Sequence, residues 1–418
     1  MPPLSPTAAP PCRFCSAPLH HTFVDLGVSP LANSYLEPAG LREPETFYPL
    51  EVFLCEECLL VQLPEAARPE EIFTDYAYFS SYSTSWVEHA RRYTEAMLER
   101  FGFGPESLVV EIASNDGYLL RHFRDRGVPV LGIEPAANVA AAAREAGIPT
   151  DNEFFTHEKA RRMVAEGKRA DLLVGNNVLA HVPGLNDFVA GLATVLADDG
   201  VVTMEFPHLL RLMDEHQFDT IYHEHYSYFS FTVVRKVFAE HGLTLFDVEE
   251  LPTHGGSLRI YGRRTQSRAA SDVGERVAEL LEREEAAGLL DPATYDGFAE
   301  RVRETKRKLL AFLLEAKAQG KTVVGYGAPA KGNTLLNYCG IRTDFLDFTV
   351  DRSPHKQGRY LPGTRIPIRA PEAIFEAQPD YVLILPWNLR DEIRSQMAEV
   401  ASWGGRFVVA IPEVEVLE

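Results

Sequence analysis

Two cysteine pairs near the start of the chain, Cys12/Cys15 and Cys55/Cys58, constrain its fold more than any other feature. Two residues between cysteines let both thiolates of a tight turn face one ion, and two such knuckles complete the tetrahedral four-sulfur shell that zinc favours. The pairs predict a structural zinc site that closes a small N-terminal module, residues 1–67, with the stretch from His20 to Leu50 as its intervening loop. A redox CxxC normally stands alone at a helix start in a βαβ pattern, and neither pair precedes an amphipathic helix. Unliganded buried thiols are the remaining reading, since free cysteine packs as a small core residue. Four thiolates leave no open position for water, so the zinc is assigned no catalytic role. Cys339, the fifth cysteine, reads as core.

The charge balance limits what the rest of the chain binds. Forty-one Lys plus Arg against sixty Asp plus Glu give a net charge of −19 over 418 residues, the wrong sign for sequence-independent binding to nucleic acid or to an anionic membrane. An anionic ligand must therefore be held by a local site. No apolar run approaches the ~18–20 residues of a membrane span, and Met1 to Pro11 lacks a charged-then-apolar signal pattern. The expectation is a cytoplasmic monomer with no nucleic-acid or membrane partner.

From residue 68 to 268 the pattern is that of a doubly wound α/β domain. Between Asp75 and Trp86 lie Tyr76, Tyr78, Phe79, Tyr82 and Trp86, an aromatic density that suits a ligand-facing wall or a packed hinge. A β-branched run then leads through Glu111-Ile-Ala-Ser114-Asn115-Asp116-Gly117 into a helix start. A second strand ends at Glu134, 17 positions after Gly117, close to the offset at which such folds present a carboxylate to ribose hydroxyls. Further strands end at Asn176-Asn177 and at Phe206. The first loop has one glycine where a dinucleotide fingerprint has three, and Glu111 and Asp116 would repel a pyrophosphate there. They suit adenosine joined to a cationic centre, which describes S-adenosylmethionine, better than NAD.

Beyond these strands stand His181 and the run Tyr222-His223-Glu224-His225-Tyr226. His and Tyr exchange protons when their surroundings shift their pKa, and a carboxylate beside a histidine fixes its tautomer. Alternate residues of an extended segment share a face, so His223 and His225 could instead chelate a metal, and a purely structural cluster is a third reading. Next, Thr253-His254-Gly255-Gly256-Ser257 puts a glycine pair before a strand, which fits either a close ligand approach or a simple hairpin turn.

The last part, residues 269–418, opens with two helices between Ser271 and Gly320. Asp291-Pro292 reads as a cap and first helical position, and Val277, Leu280, Leu281, Leu309, Leu310, Leu313 and Leu314 as core. A second strand–loop–helix unit follows, Thr322-Val-Val-Gly-Tyr-Gly327-Ala-Pro-Ala-Lys331-Gly-Asn333-Thr334. Its acid-free loop and lysine suit a diphosphate at a helix N-terminus, and Arg352, His355, Lys356 and Arg359 add local positive potential. A second dinucleotide site is the alternative.

Taken together, the two CxxC pairs, Glu111-x-x-Ser-Asn-Asp-Gly117, Asn176-Asn-Val-Leu-Ala-His181-Val, Tyr222-His-Glu-His-Tyr226, His254-Gly-Gly-Ser-Leu-Arg259 and Gly325-Tyr-Gly-Ala-Pro-Ala-Lys-Gly-Asn-Thr334 resemble, over the whole chain, the C-3-methyltransferases that act on nucleotide-linked 4-keto deoxysugars in antibiotic biosynthesis. The resemblance implies a zinc-binding module, a doubly wound methyltransferase domain and a C-terminal Rossmann-like α/β domain. It implies S-adenosylmethionine as donor, held by Glu111, Ser114, Asn115, Asp116, Gly117, Glu134, Asn176 and Asn177. A dTDP-linked 4-keto sugar would be held by His254, Gly255, Ser257, Lys331, Asn333, Arg352 and Lys356. Within the family the likeness is to the branch serving tetronitrose assembly, which implies a 3-amino-2,3,6-trideoxy-4-keto sugar. Carried over to this sequence, His225 would remove the C-3 proton, with Tyr222 and His181 around the developing enolate and Glu224 and Tyr76 as companions. The sequence leaves open which of His225, Tyr222 and His181 is the base, and whether C-3 bears an amino or a hydroxyl group. The rival readings are an NAD-dependent sugar epimerase or dehydrogenase, disfavoured by the lack of a Tyr-x-x-x-Lys pair, and a non-catalytic zinc-containing adaptor.

Overall fold

The computed structural model describes residues 9–67 and 79–417; Tyr76 and Tyr78 lie outside the described residues. The N-terminal module is built on β1 (His21–Ser29), β2 (Tyr48–Leu54) and β3 (Val61–Gln62). The stretch expected to be a loop therefore begins with β1 and ends in the start of β2, with loop and a 3₁₀ turn (Pro38–Arg42) between them, and β1 and β2 are antiparallel from His21↔Leu54 to Ser29↔Tyr48. The reason is burial: Phe23, Val24 and Leu26 share one core with Leu50, Val52 and Leu54. Phe23 also stacks on Phe298 with ring centroids 4.5 Å apart, which docks the module on the C-terminal part.

The middle domain begins with α1 (Thr84–Phe101), capped by the Ser83 hydroxyl and closed at Gly102 in the left-handed conformation. Then come β4 (Val109–Ile112), α2 (Leu120–Arg124), β5 (Val130–Ile133), α3 (Ala137–Glu145), β6 (Thr150–Asp151), α4 (His157–Ala165), β7 (Ala170–Asn176), α5 (Leu185–Val195) and β8 (Leu196–Pro207). After α6 (Leu209–Asp214), β9 (Ser227–Tyr228) and α7 (Phe231–Glu240), the hairpin β10 (Leu243–Leu251) and β11 (Ser257–Arg264) completes a seven-stranded sheet of order β10-β11-β8-β7-β4-β5-β6. Strands β8 to β6 are parallel. All four residues of β4 and of β5 are buried, as expected of parallel strands covered on both faces. The chain winds outward from β4 on one side and from β7 on the other, so the crevice at their carboxyl ends is the ligand position of such a sheet.

Strand β9 leaves this sheet and pairs with β3 of the zinc module, Val61↔Tyr228. The turn just before it, Tyr222 to Tyr226, is thereby held between two domains, with Tyr226 N–H donating to Ala180 O at 2.7 Å and Leu63 N–H to Tyr226 O at 3.0 Å.

The C-terminal part contains α8 (Glu275–Ala286), α9 (Phe298–Ala318), β12 (Val323–Tyr326), α10 (Ala330–Cys339), β13 (Thr349–Val350), β14 (Ile368–Arg369), α11 (Glu372–Ala377), β15 (Tyr381–Ile384), α12 (Arg390–Gln396), β16 (Arg406–Val409) and β17 (Glu415–Leu417). Its sheet, β14-β13-β12-β15-β16-β17, again reverses winding beside its first strand, between β12 and β15. Two sequence readings change here. Asp291 caps a short 3₁₀ turn, Pro292–Tyr295, while the helix itself starts at Phe298. Leu314 is 59% exposed rather than core, because Leu309 and Leu313 already fill the buried stripe of α9. Glu284 of α8 is fully buried and accepts from Phe231 N–H and Thr232 N–H at the start of α7 and from His208 Nε2, tying the C-terminal part to the middle domain.

Candidate active site

The four cysteines converge as their spacing predicts. Their sulfurs lie within 4.8 Å of one another, with Cys12–Cys58 at 3.6 Å and Cys15–Cys55 at 3.5 Å. A tetrahedron with Zn–S bonds of about 2.3 Å has S···S edges of about 3.8 Å, so this donor set fits zinc. Gln62 Nε2 donates to Cys12 Sγ at 3.1 Å, the outer-sphere hydrogen bond expected of a ligating thiolate. Cys339 stands apart in the core, where burial pushes its thiol up to about 12.

One cavity of about 880 Å³ is lined by the carboxyl ends of both doubly wound sheets and by the N-terminal module. At the middle-domain end it is walled by Ile112, Ile133, Phe154 and Phe155, with Asn115, Glu134, Asn176 and Asn177 among its polar groups. Glu134 accepts from Asn115 N–H at 2.9 Å and from Ala136 N–H at 2.8 Å, one bond per oxygen. These two bonds fix its carboxylate at the strand end where the sequence offset expects ribose hydroxyls. Asn177 Oδ1 is buried without a hydrogen-bond partner among the described residues. An apolar wall, a fixed carboxylate and an unsatisfied amide oxygen fit a donor with an apolar base, ribose hydroxyls and an ammonium.

Other expected donor contacts sit behind this wall. Glu111 is buried, and burial, reinforced by Asp116 and Glu134, pushes its carboxyl well above the usual range. It does not line the cavity, whereas Glu134, whose carboxyl burial also raises, does. Ser114 packs against Gly132, where a Cβ would come within 2.4 Å of its hydroxyl. Asp116 Oδ2 accepts from Ser81 N–H at 3.1 Å. Gly117 has φ +77° against Ile148, a conformation that sets the turn into α2.

Midway along the cavity stand His181, Tyr222, Glu224 and His225. The His225 ring lies 4.6 Å from that of His181 and 4.1 Å from that of Tyr222. Its Nδ1 lies 2.7 Å from Thr220 O. A carbonyl only accepts, so Nδ1 carries the proton and Nε2 keeps its lone pair. Burial, then His181, hold His225 well below the ordinary histidine range, and burial brings His181 to about 4. Both are neutral at pH 7. Glu224 accepts from Asn33 Nδ2 at 2.6 Å, and burial pushes its carboxyl up to about 7. His223 turns away from the cavity, with Nε2 against Pro49 O at 3.1 Å, because residues 222–226 form a turn rather than an extended segment. The chelating pair His223/His225 therefore does not form, and the four-cysteine set is the only such metal-ligand cluster among the described residues.

At the C-terminal end the cavity meets Pro329, Ala330 and Lys331 at the start of α10, together with Lys356. Lys356 Nζ donates to Ala328 O at 2.9 Å and lies 5.3 Å from the Tyr35 ring centroid. His254 lines the cavity with φ +54° and its Nε2 lies 3.2 Å from Asn177 Nδ2; burial brings it to about 4. Ala113, Asn115 and Asn177 share its left-handed conformation and line the same cavity, a concentration of strained backbone of the kind found at ligand sites. Gly255, Ser257, Asn333 and Arg352 do not line it. Gly255 makes room for Trp387, Ser257 Oγ donates to Thr253 O, Asn333 Nδ2 donates to Ala32 O, and Arg352 is an exposed partner of Glu392.

Several wall residues had no distinctive sequence signal. Leu31, Asn33, Ser34 and Tyr35 reach the cavity from the zinc module, where Tyr35 OH donates to Ala328 O at 2.6 Å. Glu205, fully buried at the end of β8, accepts from His89, Arg259 and Thr253 and is held at about 2 against the cost of its burial. Of the aromatic stretch, Trp86 lines the cavity while Phe79 and Tyr82 stack on His355, so wall and inter-domain contact are both present.

Three family models match consecutive parts of the chain: a zinc binding domain over residues 12–73, a methyltransferase domain over 86–248 and a C-methyltransferase C-terminal domain over 252–412. The sequence is 38% identical over 409 residues to C-methyltransferase NovU of Streptomyces niveus, covering 97% of this chain and 96% of that protein. A ubiquinone biosynthesis O-methyltransferase of Methylobacterium sp. (strain 4-46) is 34% identical over 106 residues, 23% of this chain and 41% of its own length. Among solved structures, the PH0226 protein from Pyrococcus horikoshii OT3 aligns over 47% of this chain and 97% of its own with a TM-score of 0.38 and 15% identity, too slight a likeness to bear on function.

Proposed function

The chain belongs to the C-methyltransferase family that includes NovU, and from that premise we propose that it methylates C-3 of a dTDP-linked 4-keto deoxysugar, with a 3-amino-2,3,6-trideoxy sugar as the preferred substrate. It is an S-adenosylmethionine-dependent methyltransferase. The observation that carries the substrate reading is the single cavity joining Glu134 at one end, the His225 cluster in the middle and Lys331 with Lys356 at the other.

When bound, S-adenosylmethionine supplies the electrophilic methyl group that the C-3 carbanion takes up with inversion. Glu134, Asn177 and the apolar wall around them hold the donor. Lys331, Lys356 and the first turn of α10 hold the diphosphate, where free backbone N–H groups and two ammoniums offset the acidity of the whole chain. His225 removes the C-3 proton through Nε2. The bond from its Nδ1 to Thr220 O fixes that tautomer, and burial keeps the ring neutral and ready to accept. Tyr222 flanks the base and donates toward the enolate oxygen that develops at C-4, while neutral His181 packs against the other side of the His225 ring. The zinc site holds the N-terminal module, which brings Asn33 against Glu224.

The test is deuterium wash-in at C-3 of the 4-keto substrate in heavy water without donor, followed by mass analysis of the product with donor. Exchange together with gain of one methyl group is expected. His225→Asn should lower both by roughly 10²–10⁴-fold, the usual contribution of a general base, with the affinity for S-adenosylhomocysteine unchanged. Full exchange in that variant would move the base elsewhere.

A further inference from the structure

Lys331 extends from the first turn of α10, and its Nζ donates to Asn388 Oδ1 at 2.8 Å and sits 4.7 Å from the centroid of the Trp387 ring. Trp387 is fixed in turn by the middle domain. Its Nε1–H donates to Asp219 Oδ2 at 2.8 Å, and its Cη2 would lie 2.5 Å from a Cβ on Gly255. Gly255 holds φ +90° and its carbonyl accepts from Gln217 Nε2 at 2.7 Å. The close approach that the glycine pair allows is thus made by an indole of the C-terminal part. Asp219 is fully buried, and its Oδ1 has no hydrogen-bond partner among the described residues.

This arrangement solves a problem that a buried phosphate-binding lysine poses. A carboxylate paired directly with the ammonium would keep it charged but occupy it. An aromatic face attracts the cation while leaving its donors free for a ligand. Here the carboxylate is set one step away, bonded to the indole N–H, so its field still favours the charged lysine. Burial pushes Lys331 below the usual lysine range, and Asp219 opposes that push.

We propose that Trp387 and Asp219 are positioning residues for the anionic moiety of the substrate: Asp219 pins the indole, and the indole face holds the Lys331 ammonium toward a nucleoside diphosphate in the cavity. The inference rests on the reading of Lys331 as a phosphate contact. It also gives the contact between the middle and C-terminal parts a role in substrate affinity.

The test is calorimetric titration of the full chain with dTDP and, separately, with S-adenosylhomocysteine, for Lys331→Met, Trp387→Phe, Asp219→Asn and the Trp387→Phe/Lys331→Met double variant. Lys331→Met should weaken dTDP binding by about ten-fold, and Trp387→Phe and Asp219→Asn each by roughly 3–10-fold, with the second ligand unaffected. In the Lys331→Met background, Trp387→Phe should add less than about two-fold, because residues acting through one another are not additive. An equal loss in both backgrounds would mean that Trp387 serves only packing, and would overturn the proposal. So would unchanged dTDP affinity in both Trp387→Phe and Asp219→Asn. If Lys331→Met itself leaves dTDP affinity unchanged, the phosphate reading fails and the clamp with it, an outcome distinct from the other two. Asp219→Asn is nearly isosteric and keeps the test open should the tryptophan variant fold poorly.

Discussion

The loops that follow β4 and β12 occupy the same topological position, each at the point where its sheet reverses winding, and both border one cavity. Each is held by a carboxylate on a loop N–H, Glu134 on Asn115 and Asp351 on Ala328, and they differ in the side chains they bring to the cavity. The loop after β4 is surrounded by carboxylates, reaches left-handed φ at Ala113 and Asn115 without glycine, and is held by Glu134 on the Asn115 N–H. The loop after β12 has Gly327 at φ +91°, where a Cβ would meet Pro386 Cδ at 2.5 Å, and leads to Lys331 on the cavity wall, which Lys356, 3.6 Å from Asp351, also lines. A parallel sheet provides the crevice and the helix N-terminus, while the side chains around it select the ligand: hydroxyls and an ammonium at one loop, phosphates at the other.

The strongest way to break this comparison is through the zinc module, which reaches the middle and C-terminal stretches of the cavity through Asn33 and Tyr35. Cys55→Ser should remove the metal, and dTDP binding should fall below detection while S-adenosylhomocysteine still binds, since metal affinity of about 10–16 kcal/mol holds small zinc modules folded. Metal analysis alongside calorimetry decides it; retained zinc would refute the four-thiolate shell. Next in size are two single changes at the loops themselves. Glu134→Gln should weaken the donor analogue by roughly 10–100-fold and leave dTDP alone, as loss of charge-assisted hydrogen bonds predicts. Lys356→Met should do the reverse by about ten-fold. Cross-effects of similar size in both titrations would mean that the two ends are not separate sites.

The smallest expected effect concerns pH. His225 must be neutral to act as base, and burial holds it well below 6.5, so kcat/KM should stay level as pH falls through 6.5 and decline only below it. A limb at 6.5 or above would point to Glu224, whose carboxyl burial raises to about 7, as the group that sets the profile.

Much of the fold was legible because its signals are local. Fully buried runs such as Val109–Ile112 mark parallel strands, and CxxC spacing marks a knuckle wherever it lies. The strand after Cys15 gives no clear signal because β1 breaks strict alternation at two register shifts, between Thr22 and Val24 and between Asp25 and Val28. Within the site, His181, Tyr222, Glu224, His225, Glu134, Lys331 and Lys356 were named from the sequence and line the cavity, because chemically distinctive residues at strand ends stand out. Glu111 and Asp116 were equally distinctive and do not line it. Sequence gives the identity of an acid but not the face of the loop that carries it.

By itself the sequence determined the zinc donor set, the two doubly wound units, and the acids of the first loop and the lysine of the second, since each depends on residues within a few positions of one another. Tertiary structure decided the rest. The pairing of β9 with β3 draws His225 out of the middle domain and into the cavity, 160 and more positions from the strand that receives it. Asn33 reaches Glu224 across 191 positions, and Trp387 reaches Asp219 across 168. Contacts of that span carry no periodicity or spacing in the chain; they exist only once burial of a core shared by all three parts has brought them together.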